Sequence, residues 1–205
     1  MIKIIYLWVK YAFIQMIHSI KYTVFYILVL LGFLSACKTK EIYSSIPLIE
    51  YKSANFLRGS DGIDSIMILT FSFKDGDGDI GLNQKDTFPP FQPDRNRYNE
   101  AANPYYYNLH IDYFERFNNK FSQVIKELEP DSVPPVYDTL KYVYRVENIT
   151  PDGRHKAIRG DIEVKIAPSP HPDAQDTVVY QFYLYDRNLN QSNVVRSPEL
   201  IWKRE

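Results

Sequence analysis

The sequence predicts an all-β domain, an antiparallel sandwich of about seven strands. Apolar and polar residues alternate with a period of two in several short segments, and turn-forming residues separate those segments. No long stretch has the helical period, which would argue for a different class. Of the 205 residues, 45% are hydrophobic and 15% aromatic, a composition that supports a core and excludes a disordered chain.

The first 36 residues predict a secretory signal peptide. They contain three lysines and no acidic residue, and an apolar run of about a dozen residues ends at Leu34-Ser35-Ala36-Cys37. A helix that spans a membrane needs about 20 uninterrupted apolar residues, and Lys21 interrupts the longer run. Met16 is the more typical starting residue for such a segment.

The end of this segment, Leu34-Ser35-Ala36-Cys37, resembles a bacterial lipobox, and Cys37 is the only cysteine in the chain. The resemblance implies that Cys37 is acylated and becomes the mature N-terminus, which anchors the protein to a membrane. Lys38 in place of Asp implies sorting to the outer membrane, with the protein facing the periplasm or the cell surface. The alternative is a free thiol at the end of an ordinary membrane helix. We expect residues 37–45 to be a lipid-anchored tether and residues 46–205 to be the β-sandwich domain.

Six segments alternate apolar and polar side chains as strands with one buried face do. They are residues 66–73, 107–113, 140–146, 158–166, 178–184 and a last run within 194–202. Turns rich in Asp, Asn, Gly and Pro separate several of them. Residues 121–128 also have apolar side chains at helical spacing, so a strand and a short helix both remain open there.

The start of the penultimate strand indicates an immunoglobulin-like sandwich. Asp176, Tyr180 and Phe182 form the pattern D-x-x-x-Y-x-F, which resembles the tyrosine corner of such folds. Phe182 then takes the place of the second core cysteine, in agreement with a core built without disulfides. The alternative is that Tyr180 is a half-buried strand aromatic.

A loop of alternating aspartates follows the first alternating strand. It reads Asp75-Gly76-Asp77-Gly78-Asp79-Ile80-Gly81-Leu82, with Asp86 further on. Carboxylates at every second position suit a hard cation that takes about six to eight oxygen ligands, and glycines let the backbone curl so that these side chains converge. We predict a calcium site with Asp75, Asp77, Asp79 and Asp86 as ligands. The alternative is a solvated Asp/Gly turn between two strands.

Two known motifs match this loop incompletely. The oxygens at its positions 1, 3, 5 and 12 resemble those of an EF-hand, but Ile80 stands where the EF-hand has Gly and Asp86 where it has Glu. Residues 76–81 also match the G-x-G-x-x-G pattern of dinucleotide sites. That pattern needs a following helix, whereas Pro89 and Pro90 come soon after, and aspartates inside the loop would repel a pyrophosphate. We expect no nucleotide.

A second polar loop, residues 186–193, is expected at the same end of the sandwich. In an immunoglobulin-like topology the loop after the second strand and the loop before the last strand lie together. Asp186, with the Asn188 side chain or a backbone carbonyl, is therefore predicted to complete the cage. The alternative is an Asn-rich hairpin turn in which Arg187 pairs with some carboxylate.

The proline-rich loop of residues 88–107 carries a candidate ligand-binding surface. Its aromatic residues Phe91, Tyr98, Tyr105 and Tyr106 suit the binding of a sugar or a peptide. The alternative is that these aromatics cover an edge of the core.

Composition and motifs exclude several functional classes. With 24 basic against 25 acidic residues the chain lacks the basic excess by which proteins hold nucleic acid through bulk charge. A single cysteine excludes a disulfide scaffold, and the histidines lack the spacing of a zinc site. No G-x-S-x-G nucleophile motif occurs, so we expect a protein that is not an enzyme.

Four stretches together resemble a family of Gram-negative bacterial lipoproteins that has no established activity. They are the lipobox, FSFKDGDGDIG, YRVENITPDGRHKAIRGDIEVKI and YDRNLNQSNVV. The resemblance implies an envelope location and a β-rich fold. We expect a cell-envelope lipoprotein whose calcium-braced sandwich is a structural or interaction module for envelope proteins. The alternative is a carbohydrate-binding accessory lipoprotein that binds glycans through residues 88–107.

Overall fold

The computed structural model describes residues 15–16, 20–25, 42–93, 103–129, 136–150, 156–169 and 173–204. The chain divides into two compact units, Met1–Glu41 and Ile42–Glu205. The described residues of the first unit are helical, and in the described part of the chain no helix is long and apolar enough to cross a membrane. Cys37 and Tyr98 lie outside the described residues.

The second unit is built from antiparallel strands. Its described residues form eleven of them: β1 (Leu48–Arg58), β2 (Asp64–Asp75), β3 (Leu109–Phe117), β4 (Lys120–Gln123), β5 (Ile125–Glu129), β6 (Val136–Thr139), β7 (Lys141–Tyr144), β8 (Ile158–Ile166), β9 (Thr177–Leu184), β10 (Val195–Arg196) and β11 (Leu200–Ile201). One sheet has the order β1-β2-β8. The other has the order β10-β9-β3-β4, with β7 also paired to β3 and β11 to β9, and β5 and β6 pair with each other. The predicted all-β antiparallel sandwich is confirmed.

The two larger sheets enclose one core. The chain passes to the second sheet between β2 and β3, returns to the first before β8, and passes to the second again between β8 and β9, which is the division of strands found in immunoglobulin-like sandwiches. Phe71 of β2 and Phe182 of β9 meet between the sheets, with ring centroids 5.1 Å apart. Both belong to a buried cluster that draws on both sheets. Such apolar burial is the main source of stability for a chain without disulfides.

Strand β8 agrees with its predicted bounds because its alternation is uninterrupted. Val164 and Ile166 are buried, whereas the charged residues between and before them are exposed. The strand pairs with β2 in regular antiparallel register from Ile158 to Ile166. A strand with one face in the core and one in water produces this period of two.

Strand β1 escaped prediction because a bulge breaks its alternation. The register against β2 shifts between Tyr51 and Ser53. Before the shift Ile49 and Tyr51 face the core, and after it Ala54 and Phe56 do. The inward positions therefore change from odd to even numbers, and no single period of two runs through the segment.

The region 121–128, left open between strand and helix, forms strands. β3 and β4 are joined by the two-residue connection Asn118-Asn119, whose φ angles are 49° and 61°. Asn tolerates this left-handed conformation, and two such residues in succession make the tight turn that suits a hairpin. The hairpin places residues 120–123 beside β3, so this segment pairs as a strand although its apolar residues have helical spacing.

Tyr180 is fully buried in the core. Its hydroxyl accepts a hydrogen bond from Nε1 of Trp202 at 3.1 Å, and its ring packs against Tyr113. Among the described residues, the backbone hydrogen bond that defines a tyrosine corner is not seen. Tyr180 therefore links β9 to the segment that follows β11.

Candidate metal centre

The aspartate loop begins at the last residue of β2 and is curled by glycines. Gly78 and Gly81 have φ angles of 73° and 93°, in the left-handed region that favours glycine. A Cβ at Gly78 would lie 2.0 Å from the carbonyl oxygen of Lys156, and one at Gly81 would lie 2.2 Å from that of Glu147. Because glycine has no Cβ, the loop can fold back onto the backbone of the domain at these two positions instead of extending into solvent.

The curl brings three carboxylates together. One oxygen from each of Asp75, Asp77 and Asp79 lies within 4.8 Å of the others. Asp75 is fully buried and Asp79 is 7% exposed, while Asp77 is half-buried. The predicted convergence of these three side chains is therefore present, and the predicted alternative of a solvated turn does not fit their burial.

Each of these carboxylates has one buried oxygen without a hydrogen-bond donor. Oδ2 of Asp75 accepts the backbone N–H of Asp79 at 2.8 Å. The Oδ1 atoms of Asp75, Asp77 and Asp79 are buried and have no hydrogen-bond partner in the described part of the chain. Buried polar atoms are nearly always paired, so these three unpaired oxygens distinguish the group as one that could hold a metal ion.

Electrostatics leads to the same conclusion. Two unit charges 4.8 Å apart repel by about 3.5 kcal/mol at an effective dielectric constant near 20. Burial, together with the charges of Asp186, Asp77 and Asp75, raises the pKa of Asp79 to about 7. Burial also raises the pKa of Asp75 to about 6, although the hydrogen bond from Asp79 opposes this. A divalent cation between these carboxylates would turn the repulsion into attraction.

The loop after β9 holds the aspartate loop in place. Ile80 and Asp186 form an isolated antiparallel bridge, and the N–H of Arg187 donates to the carbonyl of Asp79 at 3.2 Å. The backbone N–H of Asn188 donates to Oδ2 of Asp79 at 3.1 Å, and its side-chain amide donates to Oδ2 of Asp77 at 3.2 Å. The two loops thus meet at one end of the sandwich, as the topology predicts.

Asp186 lies beside the three carboxylates but is hydrogen-bonded elsewhere. It is 1% exposed, and its two oxygens accept the backbone N–H of Asn190 at 2.7 Å and the side-chain amide of Asn190 at 2.9 Å. Burial raises the pKa of Asp186, and the charge of Asp77 adds to this, whereas the bonds from Asn190 lower it. Asp186 therefore adds negative charge next to the group, but both of its oxygens already accept a hydrogen bond.

Asp86, the other predicted ligand, is not brought into the group. It forms an ion pair with Arg187, and its Oδ2 also accepts the N–H of Asn83 at 2.8 Å. Burial opposes its ionisation, but the hydrogen bonds from Arg187 and Asn83 outweigh burial and lower the pKa of Asp86. The EF-hand-like spacing that suggested Asp86 has no counterpart in space, since this carboxylate is committed to a cation of the protein.

The predicted aromatic residues pack against other side chains of the domain. The Arg187 guanidinium lies 5.9 Å from the ring centroid of Phe91, and Tyr105 packs edge-on against Tyr185 at 5.1 Å. The Arg145 guanidinium lies 4.8 Å from the ring centroid of Tyr106, and the Arg145 side chain donates to the Tyr106 carbonyl at 2.7 Å. All three predicted aromatics in the described residues are half-buried. Their contacts favour the alternative that they cover the domain.

Sequence reasoning missed the residues that support the loop from other segments. The N–H of Gly76 donates to the carbonyl of Ser44 at 2.7 Å, and the hydroxyl of Thr150 donates to the carbonyl of Gly78 at 2.5 Å. Asn190, which caps Asp186, was also missed. Every residue has a backbone carbonyl, so no sequence pattern predicts that the carbonyls of Ser44 and Gly78 accept these hydrogen bonds.

Comparison of the chain with protein families, with curated proteins and with solved structures finds no significant match.

Proposed function

We propose that the protein is a non-enzymatic outer-membrane lipoprotein, anchored through Cys37, whose β-sandwich is braced by calcium and acts as a structural or interaction module of the cell envelope. One observation carries the calcium site. Asp75, Asp77 and Asp79 each have a buried oxygen without a donor among the described residues, and one oxygen of each lies within 4.8 Å of the others. Hard carboxylate oxygens without nitrogen or sulfur ligands are the donor set of calcium or magnesium, and not of zinc.

Coordination geometry favours calcium over magnesium. Oxygens that share one calcium ion lie about 2.3–2.6 Å from it, so two of them are at most about 5.2 Å apart. Magnesium takes oxygens at about 2.0–2.1 Å and requires nearly ideal octahedral geometry. The three oxygens lie within 4.8 Å of one another, which is inside this limit, and calcium tolerates the flexible geometry of a glycine-rich loop better than magnesium does.

An ion at this position would fasten the two sheets to each other. Asp75 ends β2 of the first sheet, whereas Asn188 follows β9 of the second sheet and donates to both Asp77 and Asp79. The ion would hold the carboxylates that accept these hydrogen bonds. It would therefore stabilise the end of the sandwich at which the two loops meet.

The lipoprotein part of the proposal is supported by the signal-peptide pattern and by the lipobox-like residues 34–37. Its test is mass spectrometry of the mature protein from a Gram-negative host. We expect a chain that begins at an acylated Cys37. Cys37→Ser should leave the signal peptide uncleaved, and a wild-type chain with an unmodified thiol would contradict the anchor.

Calcium titration followed by calorimetry and thermal melting tests the ion site. At dissociation constants of about 10⁻⁴–10⁻³ M, which are typical of extracellular modules, 1 mM calcium stabilises by about 0.4–1.4 kcal/mol. This corresponds to roughly 1–6 °C in Tm. The double variant Asp77→Asn/Asp79→Asn should fold but lose this increment. A wild-type melting curve that is the same in chelator and in calcium would refute the site.

A further inference from the structure

We propose that the aspartate loop also fastens the segment by which the chain enters the sandwich, residues 42–46, and that ion binding controls whether this entry segment is docked. The inference rests on the calcium site proposed above and adds a regulated element to it. The entry segment immediately precedes β1 and is the part of the domain nearest in sequence to the proposed anchor at Cys37.

The entry segment lies directly on the backbone of the aspartate loop. The N–H of Gly76 donates to the carbonyl of Ser44 at 2.7 Å. A Cβ at Gly76 would lie 2.3 Å from the carbonyl oxygen of Tyr43 and 2.7 Å from that of Ser44. No other residue type at position 76 allows this approach, so the glycine is required by the docked segment.

The entry segment is largely exposed: Ile42 is 93% exposed and Ile46 is 52% exposed. Nη1 of Arg159 donates to the hydroxyl of Tyr43 at 3.3 Å, and the hydroxyl of Ser44 accepts the N–H of Ile46 within the segment. From Leu48 onward the chain is held by the ladder with β2. An exposed segment next to a continuous ladder can open locally while the domain stays folded.

The donor of the central hydrogen bond lies between two of the crowded carboxylates. Gly76 is the only residue between Asp75 and Asp77, whose buried Oδ1 atoms have no donor among the described residues. Without an ion the repulsion between these carboxylates is relieved when they move apart, and that movement turns the Gly76 N–H away from Ser44. With an ion both carboxylates are held, and the N–H stays directed at the entry segment. The ion therefore binds the docked state more tightly than the open state, which is the condition for control.

Docking takes residues 42–46 out of the tether that would connect the domain to Cys37. The calcium concentration around the protein would then set how much chain is available between the anchor and the domain.

Hydrogen exchange and limited proteolysis of the full chain in detergent test this inference, with calcium chloride and a chelator as the two conditions. We expect calcium to slow exchange of the Gly76 amide, and chymotryptic cleavage after Tyr43, by about fivefold or more. Gly76→Ala should bind calcium by calorimetry yet be cleaved after Tyr43 rapidly in both conditions. Gly62→Ala, at the other end of β2, is the matched control and should retain the calcium effect.

The outcomes separate the two proposals. If calcium binds and cleavage after Tyr43 is unchanged, control of the entry segment is wrong and the ion site stands. If calorimetry detects no calcium binding by the wild-type chain, both proposals fail. If Gly76→Ala keeps calcium-dependent protection after Tyr43, docking does not depend on the contact between Gly76 and Ser44, and the inference is overturned.

Discussion

Replacing Asp79 with Asn is expected to stabilise the protein without calcium and to remove its stabilisation by calcium. The side chain is 7% exposed, and its Oδ2 accepts the N–H of Asn188. The amide oxygen of Asn can keep this bond. The amide nitrogen would replace the oxygen that has no donor in the described residues, in a group whose other members are the carboxylates of Asp75 and Asp77. The variant therefore exchanges a repulsive contact for a hydrogen-bond donor.

The size of the gain follows from the crowding. Each pair of charges within 4.8 Å costs about 3.5 kcal/mol or more at a dielectric constant near 20, before the loop relaxes. A pKa of Asp79 raised to about 7 gives a similar cost of ~4 kcal/mol once the carboxyl is ionised. Relaxation of a glycine-rich loop reduces both values. We expect Asp79→Asn to gain ~1–4 kcal/mol in chelator at pH 8, which is several degrees in Tm.

Thermal melting at pH 8 in chelator and in calcium measures both effects. Asp86→Asn is the control, because its carboxylate pairs with Arg187 outside the group. This control should lower Tm in both conditions and keep the difference that calcium makes. A loss of stability for Asp79→Asn in chelator, or a calcium increment equal to that of the wild type, would refute the electrostatic argument.

Three further outcomes are expected. Burial raises the pKa of Asp75 to about 6 and that of Asp79 to about 7, so the folded ion-free state binds protons more tightly than the unfolded chain. The free energy of unfolding in chelator should therefore fall as pH rises from about 4 to 7. Over the same range the calcium affinity measured by calorimetry should rise. Asn188→Ala removes the amide that donates to Asp77 and should weaken calcium binding about fivefold, with little change of Tm in chelator. Gly78→Ala should lower the free energy of unfolding in denaturant by ~2 kcal/mol or more, because its Cβ would lie 2.0 Å from the Lys156 carbonyl oxygen. Gly62→Ala has a similar φ, but the atom nearest to its Cβ is 3.9 Å away, so it should cost only the ~1–2 kcal/mol of a left-handed backbone.

Sequence pattern predicted the sandwich wherever a strand alternates without interruption. β8 is such a strand, and its bounds agree with the prediction. β1 is not, because the bulge after Tyr51 changes which positions face inward. Residues 120–123 became a strand because the hairpin turn at Asn118 and Asn119 placed them beside β3. Local period is thus reliable only when the pairing partner imposes no shift of register.

The candidate site divides in the same manner. The approach of Asp75, Asp77 and Asp79 was predictable because residues two apart on a glycine-rich turn must stay near each other. The topology predicted that Asp186 lies beside this loop, but the hydrogen-bond partners of Asp86 and Asp186 were not predictable, because each partner lies outside the aspartate loop. Asp86 lies close to the loop in sequence yet pairs with Arg187, which is 101 residues away. Both oxygens of Asp186 accept hydrogen bonds from Asn190.

By itself the amino-acid sequence determined the chemistry available at this end of the domain, which is hard oxygen donors on a flexible backbone. Only the tertiary structure decided which of those donors are left without a partner. Asn188 reaches Asp79 across 109 residues of chain, because the sandwich places the loops after β2 and β9 side by side. The packing of the two loops decides which carboxylates are buried and which find hydrogen-bond partners. Of the five aspartates that the sequence predicted as ligands, it leaves three with an oxygen that has no partner among the described residues.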